Sequence, residues 1–234
     1  MNEQAIKQVL EGIIKNVMGE LQAQGRQPAC CHGLNTTEAI PVELSARHVH
    51  LSEKDALALF GAPLTPAREL SQPGQFLSKE RVRMIGPKGV MDNVAVLGPS
   101  RGASQVEISK TDARLLGVNA PVRQSGDVAG SAGMILTAGN NIVGLEEGVI
   151  VAARHIHMAP EDAARLGVSD GERVSVRLDT ERPVILEDVL VRVAPSFRLA
   201  MHIDPDEGNS AGWKSGTTGK LVARSGNGHG HGCC

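Results

Sequence analysis

The sequence ARHVHLSEKDA at residues 46–56 places two histidines one residue apart, directly before a pattern that predicts a helix. A second stretch, ARHIHMAPEDA at residues 153–163, repeats the same order of residue types. In a β-strand, side chains two positions apart point to the same face, so each pair presents two imidazoles together. The repeated stretch therefore predicts two similar units, each with a histidine pair on a strand and a short helix after it.

The sequence around the two histidine pairs repeats as well. Both halves predict the same order of elements, namely a histidine strand, a short helix, a hairpin, a further strand and a further short helix. In the first half, Ser52 and Asp55 form a helix-start signal and Gly61 a stop signal. In the second half, Pro160 stands near the first helical turn and Gly167 at the end. We therefore predict an internal duplication of roughly 100 residues in a mainly β chain with short helices.

Alignment of the two halves supplies a third candidate metal ligand for each histidine pair. VEISKTDA at residues 106–113 aligns with MHIDPDEG at residues 201–208, which matches Glu107 with His202. The first triplet is His48, His50 and Glu107, and the second triplet is His155, His157 and His202. Three protein ligands with an open position are typical of a catalytic metal site, so the sequence predicts two such sites. The alternative is that the histidines hydrogen-bond within a duplicated core and bind no metal.

Three arginines accompany these triplets. Arg101 stands in a glycine- and serine-rich turn shortly before Glu107. A guanidinium beside a metal suits the bidentate binding of phosphate or carboxylate, so Arg101 is the candidate catalytic and phosphate-binding residue. The alternative is an ordinary surface arginine. Arg47 and Arg154 directly precede the histidine pairs, and we expect them to face away from the imidazoles and to form ion pairs.

Composition excludes several classes of function. The chain has 234 residues, enough for one large domain or two modest ones. Only 2% of residues are aromatic and the net charge is −2, so we expect no nucleic-acid partner. Neither a signal peptide nor an apolar run of membrane-spanning length is evident, which favours a cytoplasmic protein without membrane contact. The cysteines form two adjacent pairs outside the repeat, so we expect neither a disulfide framework nor a cysteine nucleophile.

The sequence outside the repeat suggests how the rest of the chain is organised. Residues 1–21 have a helical apolar period and predict an amphipathic helix, and residues 22–39 form a polar linker. Such a helix packs on its own domain or binds an external partner, and both readings stay open. We place the first half at residues 40–140 and the second at residues 141–222, and the halves could exchange strands. The glycine-rich tail, residues 223–234, is predicted to be disordered and receives no function.

These motifs, together with GPKGVMDNVAVLGPSRGASQVEIS at residues 86–109, resemble the PduL-type phosphate acyltransferases (phosphotransacylases) of bacterial microcompartments. The resemblance extends from Ile40 to about Val222. It implies the reversible conversion of a short-chain acyl-CoA and inorganic phosphate into acyl phosphate and CoA. It also implies two divalent metal ions, usually zinc, at the two triplets. The fold that it implies has two related β-barrel-like domains capped by short helices.

The resemblance further implies partners and a location. Residues 2–21 match, in kind, an encapsulation peptide that binds shell or cargo proteins and directs an enzyme into a microcompartment in the cytoplasm. A homo-oligomer is compatible with the sequence, as is either acetyl-CoA or propanoyl-CoA. The glycine-rich residues 125–139 either approach CoA closely or only form turns. Two other functions stay open: a two-metal hydrolase of a small acylated or phosphorylated metabolite, and a non-catalytic metal-storage or scaffold protein.

Overall fold

The structure is a computed structural model that describes residues 37–222. The predicted helix at residues 1–21, most of the linker at residues 22–39 and the tail at residues 223–234 lie outside the described residues. No helix in the described part of the chain is long and apolar enough to cross a membrane.

The described residues form many strands and a few short helices, as the sequence predicts. The strands are β1 (Ile40–Leu44), β2 (His48–Ser52), β3 (Pro66–Glu69), β4 (Phe76–Ile85), β5 (Val90–Arg101), β6 (Gln105–Glu107), β7 (Val122–Arg123), β8 (Ala132–Ala138), β9 (Asn141–Ala152), β10 (His155–Met158), β11 (Arg173–Leu178), β12 (Val184–Val193), β13 (Ala200–Ile203) and β14 (Thr218–Leu221). The helices are α1 (Glu53–Phe60), α2 (Lys110–Leu116), α3 (Pro160–Leu166) and α4 (Pro205–Ala211).

The strands close into two six-stranded barrels. The first barrel has the order β4-β5-β2-β6-β9-β8, and β8 closes it by pairing with both β9 and β4. The short strands β3 and β7 extend it at β4 and β9. The second barrel has the order β11-β12-β10-β13-β1-β14, closed by the pairing of β14 with β11. Each barrel encloses its own aliphatic core, which confirms the expectation of a mainly β fold with two barrel-like domains.

The two barrels share one topology, strand for strand. The histidine strands β2 and β10 each run parallel to one neighbour, β5 or β12, and antiparallel to the other, β6 or β13. The remaining pairings also match in direction. However, β1 precedes β2 in the chain and lies in the second barrel, whereas β9 precedes β10 and lies in the first. The barrels therefore exchange one strand each, and no single chain position separates them.

Alternation along the histidine strands directs the imidazoles away from the barrel cores. Val49 and Leu51 of β2 are fully buried in the core of the first barrel. Ile156 and Met158 of β10 occupy the same place in the second barrel. Because successive side chains alternate between faces, the intervening histidines project from the outer surface of each barrel.

The short helices end where the sequence predicts. The Ser52 side chain accepts a hydrogen bond from the Asp55 backbone N–H and begins α1, and Gly61 ends it in the left-handed conformation that glycine adopts freely. Gly167 ends α3 in the same way. Each histidine strand is thus followed at once by a capped helix, which fixes the point where the strand leaves its barrel.

Candidate metal and anion site

The histidine faces of the two barrels border a common cavity of about 400 Å³. All six members of the two triplets line this cavity, and Arg101 lines it as well. Residues that lie far apart in the sequence therefore meet at one place, where the two halves of the chain face each other.

Strand register assembles the first triplet. In the antiparallel pair β2–β6, His48 lies directly opposite Glu107. The Nε2 atoms of His48 and His50 are 3.2 Å apart, and Nε2 of His48 lies 3.5 Å from Oε2 of Glu107. Two nitrogen ligands about 2.0–2.1 Å from a tetrahedral zinc ion are about 3.3 Å apart. The first triplet therefore fits a single metal ion with nitrogen and oxygen ligands.

Backbone carbonyl groups set the tautomer of the leading histidine in each pair. Nδ1 of His48 donates a hydrogen bond to the carbonyl oxygen of Ala46 at 2.8 Å. Nδ1 of His155 donates to the carbonyl of Ala153 at the same distance. Because a carbonyl oxygen can only accept, the proton of the neutral ring lies on Nδ1 and Nε2 carries the free lone pair. This is the outer hydrogen bond that commonly orients a metal-binding histidine.

Glu107 lies in a dense set of hydrogen bonds. Its Oε1 accepts from Nε2 of Gln105 at 2.5 Å and from the Ser125 hydroxyl at 2.9 Å. The Ser125 hydroxyl in turn accepts from Nη1 of Arg101 at 3.0 Å. Burial alone would raise the pKa of Glu107, but His48 and these donors hold it well below its usual range. Glu107 is therefore a fixed carboxylate at neutral pH.

The two histidines of the first triplet differ in pKa, although the charge of Glu107 favours protonation of both. Burial opposes protonation of His48, yet the charge of Glu107 and its hydrogen bond raise the pKa of His48 above the usual value. Burial and the neighbouring His48 lower the pKa of His50 to about 3. Within the first triplet, His48 is therefore protonated more readily than His50, beside an ionised Glu107.

The second triplet has the same register and three neutral rings. His155 lies opposite His202 in the antiparallel pair β10–β13. The centroids of the three rings are 4.6–5.1 Å apart. Burial lowers the pKa of all three histidines, to about 2 for His157 and about 3 for His202. At neutral pH the triplet therefore offers three uncharged imidazoles.

Unpaired nitrogen atoms indicate that the second triplet suits a metal ion. Nδ1 of His157 and Nε2 of His202 are buried and have no hydrogen-bond partner among the described residues. A buried polar atom without a partner is unusual and costly unless a ligand satisfies it. In each triplet the candidate ligand atoms lie within 4.8 Å of one another. Both donor sets therefore fit a divalent metal that prefers nitrogen and oxygen ligands, such as zinc.

Comparison with known proteins identifies the family. A family model described as phosphate propanoyltransferase matches residues 41–214. The chain is 50% identical to the phosphate propanoyltransferase of Alkaliphilus metalliredigens, over 95% of this chain and all of that protein. It is 56% identical to the phosphate propanoyltransferase of Leptotrichia buccalis, over 81% of this chain and 90% of that one. The chain belongs to the phosphate propanoyltransferase family. It is therefore an acyltransferase of the phosphotransacylase type.

Two arginines of this acyltransferase stabilise the frame around the triplets. Arg47 forms two hydrogen bonds to Asp112, of 2.9 and 2.7 Å, and Arg154 forms one of 2.8 Å to Glu207. Asp112 is the third residue of α2, the helix that follows β6. Glu207 is the third residue of α4, the helix that follows β13. Each acid belongs to the capping box of its helix. The expected ion pairs are confirmed, and Arg47 also reaches the edge of the cavity.

Sequence reasoning missed two residues that line or close the cavity. Arg192, near the end of β12, lines it beside the second triplet. Gln72 is buried, and its amide donates to the carbonyl of Arg198 at 3.0 Å and accepts from the backbone N–H of Arg198 at 3.2 Å. These two hydrogen bonds link a loop of the first barrel to a loop of the second. The sequence offered one signal for Arg192, because a charged residue within the apolar stretch VLVRV is unusual. It offered no such signal for Gln72.

Proposed function

We propose that the chain converts a short-chain acyl-CoA, acetyl-CoA or propanoyl-CoA, and inorganic phosphate into acyl phosphate and CoA, reversibly. One observation carries this proposal: both candidate metal triplets and Arg101 border a single cavity. A reaction between an anion and a thioester needs cationic groups that hold both reactants at one place. The relatives are phosphate propanoyltransferases, which supports the same chemistry and favours the propanoyl group.

We propose that the two triplets hold one divalent metal ion each, with zinc as the metal. His48, His50 and Glu107 would hold the first ion, and His155, His157 and His202 the second. When bound, such ions polarise carbonyl and phosphate oxygens and stabilise the negative charge of a transition state. The three-ligand composition of each set supports a catalytic rather than a structural role, because structural zinc sites are usually closed by four protein ligands.

Arg101 is the proposed catalytic and phosphate-binding residue of the chain itself. Its guanidinium is anchored to the Ser125 hydroxyl, which is anchored to Glu107. This chain of contacts holds Arg101 in a fixed direction beside the first triplet. A guanidinium held in this way can bind two phosphate oxygens and direct a third toward the thioester carbonyl carbon.

The proposed reaction is a direct displacement without a covalent enzyme intermediate. A phosphate oxygen forms a bond to the carbonyl carbon, the carbon–sulfur bond breaks, and CoA leaves as a thiolate. A thiol with a pKa of about 8.5 is a good leaving group and needs little help from a general acid. Both cysteine pairs lie at the ends of the sequence, outside the repeat, which supports a mechanism without a cysteine nucleophile.

We further propose that residues 2–21 bind shell or cargo proteins of a bacterial microcompartment. The amphipathic pattern of this segment supports the proposal. Removing residues 1–39 should leave phosphate-dependent activity intact and abolish co-sedimentation with purified compartments. Co-sedimentation of the shortened chain at the level of the full chain would contradict the proposal.

A thiol-release assay tests the proposed reaction. CoA release from acetyl-, propanoyl- and butanoyl-CoA is followed with and without phosphate, and the metal content is measured on the same sample. We expect release that depends on phosphate, with acyl phosphate as the second product. Neighbouring chain lengths should differ by about 1–3 kcal/mol in transition-state binding, because they differ by one methylene. Release with water alone would instead identify a hydrolase, and no release would favour a non-catalytic protein.

A further inference from the structure

The two barrels differ at one position on the cavity wall. In the parallel pair β2–β5, His50 is in register with Leu97. In the matching pair β10–β12, His157 is in register with Arg192. In-register residues of neighbouring strands share a face, and both side chains line the cavity. The duplicated frame thus holds an apolar side chain beside the first triplet and a guanidinium beside the second.

Arg192 is a charged residue that packs on an aromatic ring. No carboxylate among residues 37–222 forms an ion pair with it, whereas Arg47 and Arg154 each pair with an acid. Its guanidinium carbon lies 5.8 Å from the ring centre of Phe197, whose ring also packs against His157. Stacking on an aromatic ring orients a guanidinium and leaves its N–H donors available. Arg192 is therefore held in place without being neutralised.

The charge of Arg192 affects Arg101, which lines the same cavity from the other barrel. Burial lowers the pKa of Arg101, the charge of Glu107 raises it, and repulsion from Arg192 lowers it. Arg101 and Arg192 are thus two like charges that face the same cavity, one on each barrel. An anion that binds between them is attracted by both charges.

We infer that Arg192 is a second phosphate-binding residue, which holds the phosphate reactant together with Arg101 from the opposite barrel. This inference rests on the proposed function. Two guanidinium groups on different barrels match a tetrahedral anion, which presents oxygens in several directions. They would retain the same phosphoryl group in the acyl phosphate product. At the matched position of the first barrel, Leu97 offers no group that binds an anion.

CoA also carries phosphate groups, but the position of Arg192 favours inorganic phosphate. Arg192 is in register with a candidate metal ligand, at the place where the reacting atoms must meet. The phosphates of CoA are separated from its sulfur by the whole pantetheine arm. A residue beside the reacting atoms is therefore better placed for the phosphate that attacks the thioester.

Steady-state kinetics of the full-length, metal-loaded protein test the inference. Arg192→Leu gives the second barrel the side chain that the first barrel has at the matched position. We expect the KM for phosphate to rise by about 10- to 100-fold, because charge-assisted hydrogen bonds are lost. The KM for acyl-CoA should stay within about twofold of the wild-type value, and inhibition by sulfate should weaken in parallel with phosphate binding. Arg192→Lys should give a smaller rise, because the ammonium keeps the charge without the planar fork.

Arg173→Leu is the matched control. Arg173 lies on the neighbouring strand β11, is exposed and pairs with Asp188 at 2.8 Å. Its removal should leave both KM values unchanged. An unchanged phosphate KM in folded Arg192→Leu protein with full metal content would overturn the inference, and so would a rise confined to the KM for acyl-CoA. If the leucine variant does not fold, the KM for phosphate and the KM for acyl-CoA of Arg192→Lys test the inference in its place. Failure of the proposed function itself is distinct, because the wild-type protein would then release no CoA in response to phosphate.

Discussion

The two triplets occupy the same backbone frame and differ in charge. In the first, a buried carboxylate is held by Gln105 and Ser125 and raises the pKa of His48. In the second, three neutral imidazoles lie beside Arg192, and Oε2 of Glu43 is 3.8 Å from Nδ1 of His202. The frame therefore sets the number and direction of the ligand atoms, whereas the side chains set the charge that a bound cation would meet.

This difference suggests distinct electrostatic roles for the two barrels. A divalent cation bound by Glu107 has one of its charges neutralised, whereas one bound by three imidazoles retains both. Each barrel also contributes an arginine to the cavity, Arg101 beside the first triplet and Arg192 beside the second. We therefore expect the second barrel to attract anions more strongly than the first, although both border the same cavity.

Removing one ligand from each triplet is the strongest test of the comparison. We expect Glu107→Ala and His202→Ala each to lose one metal equivalent, from its own barrel only. Activity should fall at least about a thousandfold in both, because a metal ion contributes several kcal/mol of charge stabilisation. Elemental analysis and initial rates measure the two effects on one sample. Glu187→Ala, on the exposed part of β12, should keep both metals and full activity. Full turnover by a metal-free variant would contradict the two-metal proposal.

Removing the support of Glu107 should affect only the first barrel. Gln105 lies opposite His50, and the matched position in the second barrel, opposite His157, is Ala200. We expect Gln105→Leu to weaken metal binding at the first triplet by about 10- to 100-fold, as loss of an outer hydrogen bond to a ligand commonly does. Competition with a chromogenic chelator resolves the two sites. Equal weakening at both triplets would show that they do not bind metal independently.

The smallest expected effect is the response of the metal-free protein to acid. The pKa values of His157 and His202 are about 2 and 3 in the folded state, against a usual value of 6.5. Below pH 6.5 the unfolded chain binds more protons than the folded one, so acidification lowers the free energy of unfolding. Each such histidine should remove about 1 kcal/mol per pH unit. His48 acts in the opposite direction, because its raised pKa adds stability that is lost as pH rises through the folded value.

Urea unfolding in the presence of a chelator at pH 5, 6 and 7 measures this response. Replacing His157 and His202 with asparagine should flatten the loss of stability on acidification. Replacing His48 with asparagine should steepen it, because His48 is the histidine within residues 37–222 whose raised pKa favours the folded state at low pH. Identical slopes in all variants would show that the two triplets do not differ in protonation.

Much of the local structure followed from short sequence signals. Capping residues such as Ser52 and stop residues such as Gly61 predicted helix ends, because both act within a few positions of the chain. The equivalence of Glu107 and His202 followed from aligning the two halves of the sequence. Residues at matched positions of a duplication occupy matched places in the fold. The described structure places both beside their histidine pairs. Their role as metal ligands stays a prediction.

Other features had no local signal. The exchange of β1 and β9 depends on pairings between distant segments, which periodicity does not reveal. The link from Gln72 to Arg198 spans two loops, one in each barrel. The place of Arg192 depends on its register with His157, which is fixed only when β10 and β12 pair.

The sequence by itself determined the repeated unit, the family resemblance and the six side chains that could act as ligands. These depend on residue type and spacing, which are properties of the chain alone. Only the tertiary structure decided that both triplets border one cavity and that the barrels exchange strands. It also decided that Arg192 lies beside the second triplet, where it has no ion-pair partner among residues 37–222. Each of these depends on which strands become neighbours, and strand pairing is settled by long-range packing of the two cores rather than by local sequence.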